Sequence, residues 1–140
     1  MNTLRTIAVG YDGSSGSEAA VRWSLTLANA THSTVIVLHA IGLLEHLYTA
    51  YPRDVTPPAI VAMAKELAFD EQRLHWHVDD GDACSVLLRA GSSPLDADLL
   101  VVGSRGRGQR TGMLLGSTTL EVAEHTLTPL VIVPSRFEED

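Results

Sequence analysis

The segment from residue 101 to residue 119 contains the residues of this chain best suited to bind a phosphate group. Several of the 11 glycines lie there, and glycine lets the backbone approach a ligand closely and frees N–H groups to form an anion nest. Arg105, Arg107 and Arg110 supply three of the 10 Lys and Arg residues within six positions. One guanidinium group can donate two parallel hydrogen bonds to the oxygens of a phosphate. This basic cluster in an acidic chain therefore predicts a phosphate-binding loop.

The elements that flank the loop favour the same interpretation. An apolar run at residues 98–103 precedes it, and Gly116-Ser117-Thr118 opens a predicted helix. The first N–H groups of a helix and its dipole also favour an anion. In a doubly wound sheet this position lies outside the carboxyl ends of the strands, where ligands bind. The plainer alternative is that the glycines only form a flexible connection between strand and helix.

Two familiar nucleotide-binding loops do not fit this sequence. The Walker pattern ends in Gly-Lys-Ser/Thr, whereas the only lysine of the chain is Lys65. The dinucleotide fingerprint places three glycines after the first strand as GxGxxG, and Gly10, Gly13 and Gly16 have a different spacing. The predicted phosphate loop therefore belongs to neither class.

Strand and helix patterns alternate along the whole chain. Short apolar runs predict strands, and apolar positions at helical spacing predict helices between them. The predicted strands are residues 6–10, 34–40, 74–78, 98–103 and 130–133, and the predicted helices are residues 18–30, 59–71, 82–90 and 117–126. This alternation predicts an α/β fold, a single doubly wound domain over residues 1–140 with a parallel sheet. Residues 42–58, which contain three prolines, form the longest predicted loop.

Composition and charge limit the function classes. Hydrophobic residues make up 45% of the chain and charged residues 19%, as in ordinary globular domains. The net charge of −7 argues against nucleic-acid binding through a basic surface. The single cysteine, Cys84, excludes an internal disulfide or a cysteine metal cluster. No apolar run approaches the ~20 residues of a membrane span, and we expect a cytoplasmic protein that binds neither membranes nor nucleic acid.

The glycine spacing resembles that of the universal stress protein family. ATP-binding members carry Gly-x2-Gly-x9-Gly followed by Ser or Thr, and here those positions are Gly103, Gly106, Gly116 and Ser117. Residues 7–14 are similar to the family's first strand and turn, and the run from Gly116 to Val133 is similar to its C-terminal part. The resemblance covers the chain except residues 42–58, and it implies five parallel strands in the order 3-2-1-4-5 with helices on both faces.

The resemblance also implies roles for single residues. Asp12 would bind the ribose hydroxyls or the adenine region, and the phosphates would carry Mg²⁺ or Mn²⁺. The other residues implied at the ATP site are Gly10, Tyr11 and Ala40 beside the adenine, Val102 and Gly103 beneath the base and ribose, and Gly106, Arg107, Gly116, Ser117 and Thr118 around the phosphates. Tyr11 is bulkier than the family's usual residue, so we expect its ring either to stack near the base or to crowd it. Members commonly form homodimers through the last strand, here Leu130, Val131, Ile132 and Val133.

Three functional hypotheses follow. The first is an ATP-binding stress-response or signalling module that acts as a dimer, in which nucleotide occupancy alters a protein partner or the protein's own assembly. The second is a slow ATPase or self-phosphorylating protein in which Ser104, Ser117 or a bound water accepts the phosphoryl group. The third is an interaction protein that binds cyclic AMP or no ligand. No base lies near the candidate serines in the sequence, so a hydrolase triad is not predicted.

Isolated polar residues have simpler interpretations. His75, His77 and Asp79 alternate with apolar residues along one predicted strand, which indicates a solvated face at a sheet edge rather than a metal site. His39 is interpreted as a core or rim histidine. Cys84 lies near a predicted helix start, where a thiol pKa can fall, but a packing role is favoured.

Overall fold

The computed structural model describes residues 3–42, 51–105 and 115–134. Neighbouring strands of its five-stranded sheet are all parallel, in the order β3-β2-β1-β4-β5, which confirms the expected fold. The strands are β1 (Thr6–Gly10), β2 (Thr34–Ile41), β3 (Leu74–Asp80), β4 (Leu99–Gly103) and β5 (Leu130–Val133). Strands β2 and β3 lie on one side of β1, and β4 and β5 lie on the other, so the strand order switches at β1. Ligand clefts form at such a point in open α/β sheets.

Helices cover both faces of the sheet. They are α1 (Ser15–Thr31), α2 (Pro58–Glu66), α3 (Ala83–Arg89) and α4 (Ser117–His125). Helices α1 and α2 pack on the face that receives Ile7 and Val9 of β1. Helices α3 and α4 pack on the opposite face, which receives Ala8. None of the helices in the described ranges has the length and apolar character of a membrane span.

Side chains cap the starts of α1 and α3. Ser14 precedes α1, and its side-chain oxygen accepts a hydrogen bond from the Ser17 N–H at 3.2 Å. Asp82 precedes α3 and accepts from the Ser85 N–H at 3.1 Å. Both caps hold helix starts at the carboxyl edge of the sheet, so they help to position the loops there.

The predicted second helix is too long. Helix α2 ends at Glu66 rather than at residue 71, and residues 71–73 form a separate 3-10 turn. Ala68 adopts φ 52° and reverses the chain, so that Phe69 becomes buried, with 5% of its surface exposed. The turn after α2 therefore serves to bury Phe69, which periodicity alone did not indicate.

Strand β3 lies at one edge of the sheet, as its alternating pattern predicted. Pro52 and Arg53 contact this strand. They follow the segment 43–50, which lies outside the described residues. The Trp76 Nε1–H donates to the Pro52 carbonyl oxygen at 2.8 Å. Arg53 donates to the Val78 carbonyl oxygen at 3.0 Å and pairs with Asp80 at 3.0 Å. Residues 51–53 are thus held against β3 close to its carboxyl end.

Candidate functional site

A cleft of about 310 Å³ opens at the carboxyl ends of the strands. It is bounded by the ends of β1, β2 and β4, by the turn from β3 to α3 and by the first residues of α4. This volume lies at the lower end of the range typical of small-molecule sites, about 300–1,000 Å³. The sequence predicted a ligand at this end of the sheet.

Most of the predicted ATP-site residues line this one cleft. They are Gly10, Tyr11, Asp12, Ala40, Val102, Gly103, Gly116, Ser117 and Thr118. Gly106 and Arg107 lie outside the described residues. The structure thus brings together residues that are more than 100 positions apart in the sequence.

Other residues line the cleft without having been predicted. Leu38, Val86 and Leu87 join the predicted Val102 in one apolar wall, and each of these side chains is at most 5% exposed. A Cβ atom at Gly10 would lie 3.2 Å from Leu87 Cδ2, so the missing side chain at Gly10 leaves room for this wall. Val86 and Leu87 come from α3, whose approach to β1 could be inferred only from the sheet order.

The backbone of Ala40 points into the cleft. The last register pair of β1 and β2 is Gly10 with Leu38, and the Tyr11 N–H donates to the Leu38 carbonyl oxygen at 2.8 Å. Backbone groups alternate sides along a strand, so Ala40 directs its N–H and C=O to the same side as Leu38. Beyond the end of β1 this side is the cleft, and the cleft wall therefore carries a hydrogen-bond donor and an acceptor side by side.

Asp12 lies in a tightly bonded turn between β1 and α1. Its Oδ1 accepts from the Ser14 N–H at 2.9 Å, and its own N–H donates to Ser17 Oγ at 3.2 Å. Gly13 adopts φ 84° within this turn, a conformation that favours glycine. The carboxylate has a structural role in the turn, and Asp12 also lies at the cleft.

The ring of Tyr11 packs on the face of the sheet opposite the apolar wall of the cleft. It is 5% exposed and belongs to the cluster under α1 and α2, whereas the apolar wall of the cleft lies on the α3 face. Its hydroxyl donates to Glu18 Oε2 at 3.4 Å. Burial, with Tyr51 and Glu18 as further causes, raises the pKa of this hydroxyl above its ordinary value. The expected crowding of the cleft by Tyr11 is therefore wrong.

The start of α4 forms the other end of the cleft. Gly116 occupies the N-cap position, has no side chain to cap the helix, and donates its N–H to the Ser104 carbonyl oxygen at 2.7 Å. Thr119 Oγ1 donates to the Gly103 carbonyl oxygen at 2.8 Å and joins the helix to β4. Helix α4 thus presents its first N–H groups at Ser117 and Thr118 to the cleft, and such an end suits an anion.

Gly103 has a packing role as well as a place in the cleft. A Cβ atom there would lie 2.6 Å from the Gly16 carbonyl oxygen and 2.8 Å from its carbonyl carbon. A Cβ atom at Gly16 would in turn overlap the Arg105 carbonyl oxygen. The first turn of α1 and the end of β4 therefore meet backbone against backbone, and this contact needs glycine on both sides.

The possible metal ligands of β3 and the thiol of Cys84 do not line the cleft. Within residues 3–42, 51–105 and 115–134, no group of three His, Cys, Asp or Glu side chains is placed to hold a metal ion. His75 is exposed, and Asp79 pairs with Arg89 at 3.1 Å, in keeping with a solvated face. Cys84 is 5% exposed in the apolar cluster. Burial, with Glu121 and Asp82 adding to it, raises the pKa of the Cys84 thiol, which favours the packing role.

Comparison with known proteins gives consistent relatives. The model of the universal stress protein family matches residues 3–134. A universal stress protein of Mycolicibacterium smegmatis is 30% identical over 139 residues, a match that covers 93% of this chain and 46% of that protein. A universal stress protein of Mycobacterium tuberculosis is 31% identical over 138 residues and is covered to 44%. The chain spans about half the length of the curated relatives it matches.

Solved structures give the same picture. A universal stress protein in complex with cAMP is 28% identical, with a TM-score of 0.72 over 96% of this chain and 99% of that one. The universal stress protein UspA from Lactobacillus plantarum, at 19% identity, shares the fold with a TM-score of 0.68 over 95% of this chain and 99% of that one. The family model and the relatives agree over nearly the whole chain, and this chain belongs to the universal stress protein family.

Proposed function

We propose that this protein binds an adenine nucleotide, with Mg-ATP or Mn-ATP as the first candidate, in the cleft at the carboxyl ends of its strands. One observation carries the proposal: a single cleft joins the backbone donor and acceptor of Ala40, the carboxylate of Asp12 and the open start of α4. The Ala40 groups suit a base, the Asp12 carboxylate suits a ribose, and the start of α4 suits an anion. Binding of this kind would let nucleotide occupancy control the protein's assembly or a protein partner.

Adenine fits the Ala40 end of the cleft. Its N6 amino group donates hydrogen bonds and its neighbouring N1 accepts one, which complements the C=O and N–H of Ala40. Guanine presents an acceptor, O6, where adenine has a donor. The apolar wall formed by Leu38, Val86 and Val102 offers a surface for the flat face of the base.

The phosphates fit the start of α4. Ser117 is exposed and Thr118 is half-buried at this end of the cleft. The N–H groups of these residues and the positive end of the helix dipole favour negative charge. Gly106 and Arg107 are proposed to complete this part of the site on the basis of the motif, and a divalent cation would be carried mainly by phosphate oxygens.

Base selectivity is the test of this proposal. Isothermal titration with Mg-ATP and Mg-GTP is expected to show ATP bound at least ~10-fold more tightly, about 1.4 kcal/mol, because guanine would leave the Ala40 groups mispaired. Equal affinities for the two nucleotides would contradict the assignment of Ala40 to the base. A wild-type protein that binds neither nucleotide would overturn the proposed function itself.

Cyclic AMP is the second candidate ligand, because a solved relative at 28% identity holds it. It would use the same base and ribose positions but brings a single phosphate to the start of α4. In the same titration, a tighter interaction with cyclic AMP than with Mg-ATP would favour this candidate. We expect the reverse, because Arg105 lines the cleft and the sequence that follows it is rich in glycine and arginine, a composition suited to several phosphates.

Homodimerisation through β5 is the second part of the proposal. The Ser104 N–H donates to the Val133 carbonyl oxygen at 2.8 Å and the Leu100 N–H to that of Pro129 at 2.9 Å. Residues 129, 131 and 133 therefore face β4, whereas Leu130 and Ile132 direct their backbone groups away from the sheet. The edge at β5 is apolar and half-buried over Leu130, Val131 and Ile132, which suits a second copy.

Ile132→Pro is expected to convert the dimer into a monomer. Proline removes an N–H that points away from β4, so the contacts within the domain are kept while pairing across the edge is lost. Sedimentation velocity measures the change, with Ile132→Val as the control that keeps the N–H and the dimer. A proline variant that sediments as the same dimer as wild type would contradict pairing through β5.

A further inference from the structure

Beneath the cleft, the ring of His39 packs against two aromatic rings. Its ring centroid lies 4.8 Å from that of Tyr51 in an edge-on arrangement and 5.9 Å from that of Trp76 in a stacked one. Tyr51 and Trp76 also contact the ring of Tyr11, at 5.8 and 6.2 Å. His39 is only 5% exposed, yet it belongs to the residues that line the cleft. Its ring is therefore fixed in orientation at the border between core and cleft.

The fixed ring makes a specific hydrogen bond. His39 Nδ1 lies 2.8 Å from the carbonyl oxygen of Tyr11. A carbonyl oxygen only accepts hydrogen bonds, so Nδ1 must carry the proton and donate it. The bond requires either the Nδ1–H tautomer or the protonated imidazolium, and a neutral ring protonated only at Nε2 could not make it.

The acceptor belongs to the peptide group that leads into the cleft. The Tyr11 carbonyl and the Asp12 N–H are the two ends of one planar unit. His39 holds the oxygen, and Ser17 Oγ accepts the Asp12 N–H at 3.2 Å on the other side. The peptide is thus held at both ends, which sets the direction in which the chain leaves β1 and presents Asp12.

We propose that His39 is a positioning residue of the nucleotide cleft, which acts by holding the Tyr11–Asp12 peptide through Nδ1–H. Tyr51 and Trp76 keep the imidazole in the required orientation. Residues 51–53 are held on β3 by the hydrogen bond from Trp76 to Pro52. They therefore help to fix the orientation of the His39 ring. The effect on affinity rests on the proposed nucleotide binding, whereas the hold on the peptide does not.

Two substitutions separate positioning from packing. In His39→Asn the side-chain nitrogen takes the place of Nδ1 and still donates to Tyr11, whereas in His39→Gln it takes the place of Nε2. Both variants lose the ring contacts, so both are expected to melt at a similarly lower temperature. The asparagine variant is expected to keep its affinity for Mg-ATP within about threefold of wild type, and the glutamine variant to lose about tenfold.

Two measurements on nucleotide-free protein test the hold on the peptide directly. Nitrogen-15 chemical shifts of His39 are expected to show a protonated Nδ1, and the Asp12 amide is expected to exchange faster in His39→Gln than in His39→Asn. An unprotonated Nδ1, or equal exchange in the two variants, would overturn the proposal. Equal ATP affinities of the two variants would also overturn it. If wild type bound no nucleotide, the proposed function would fail, and the shifts and exchange would still decide whether His39 holds the peptide.

Discussion

Gly103→Ala is expected to lower the free energy of unfolding by about 3 kcal/mol or more, although it adds a single methyl group. The new Cβ atom would lie 2.6 and 2.8 Å from the carbonyl oxygen and carbon of Gly16 and 3.3 Å from the Ser17 nitrogen. All three neighbours are backbone atoms of the first turn of α1, which cannot rotate away as a side chain would. Helix α1 must shift from β4, and urea denaturation measures the cost.

Gly42→Ala is the matched control for this substitution. Gly42 also lines the cleft, but among the described residues no atom outside its two chain neighbours lies within 4 Å of the Cβ position there. We expect its unfolding free energy to stay within about 0.5 kcal/mol of wild type. If Gly103→Ala were as stable as Gly42→Ala, the close contact between α1 and β4 would be contradicted. The result also matters for interpretation, because lost ATP binding in a Gly103 variant would not by itself demonstrate a ligand contact.

Ser117→Asp is expected to weaken Mg-ATP binding by about 10- to 100-fold, or about 1.4–2.7 kcal/mol. The substitution places a negative charge at the proposed phosphate position. The fold should tolerate it, since Ser117 is exposed and a carboxylate in the first turn of a helix interacts favourably with the dipole. Titration calorimetry on a variant that unfolds at the wild-type temperature measures the effect.

Ser117→Asn controls for size without adding charge, and we expect it to bind ATP within about threefold of wild type. Adenosine provides a second control, because a ligand without phosphates should bind the aspartate and asparagine variants equally. Equal ATP affinities in these two variants would place the phosphates elsewhere than at the start of α4. A loss of adenosine binding in the aspartate variant would indicate disruption of the whole cleft.

Much of the fold could be predicted because the local hydrophobic patterns coincide with the strands and helices that form. Buried parallel strands appear as short apolar runs, as at residues 6–10 and 130–133, and these runs coincide with β1 and β5. The edge position of β3 followed from its alternation of His and apolar residues. The end of α2 was missed because it depends on burial of Phe69 after a turn at Ala68 with positive φ, which helical spacing does not reveal.

The site could be predicted where its residues lie near strand ends or, as at Ser117 and Thr118, at the start of a helix. Asp12, Ala40 and Gly103 lie at or near the ends of β1, β2 and β4, and parallel strands bring such ends to one edge. The wall from α3 and the ring cluster around His39 depend on which strands are neighbours and on how residues 51–53 return to the sheet. Tyr11 continues the alternation of β1, so its side chain lies on the same face of the sheet as Ile7 and Val9. The size of Tyr11, considered in the sequence alone, instead suggested a role beside the base.

The central claim is that one adenine nucleotide spans the cleft from β2 to α4. The most direct test is a titration of nitrogen-15-labelled protein with Mg-ATP, observed through the backbone amides of Asp12, Ala40 and Thr118. These amides lie on three separate segments around the cleft. All three signals are expected to shift along one common saturation curve. Unchanged signals at saturating Mg-ATP, or shifts confined to residues outside the cleft, would contradict it.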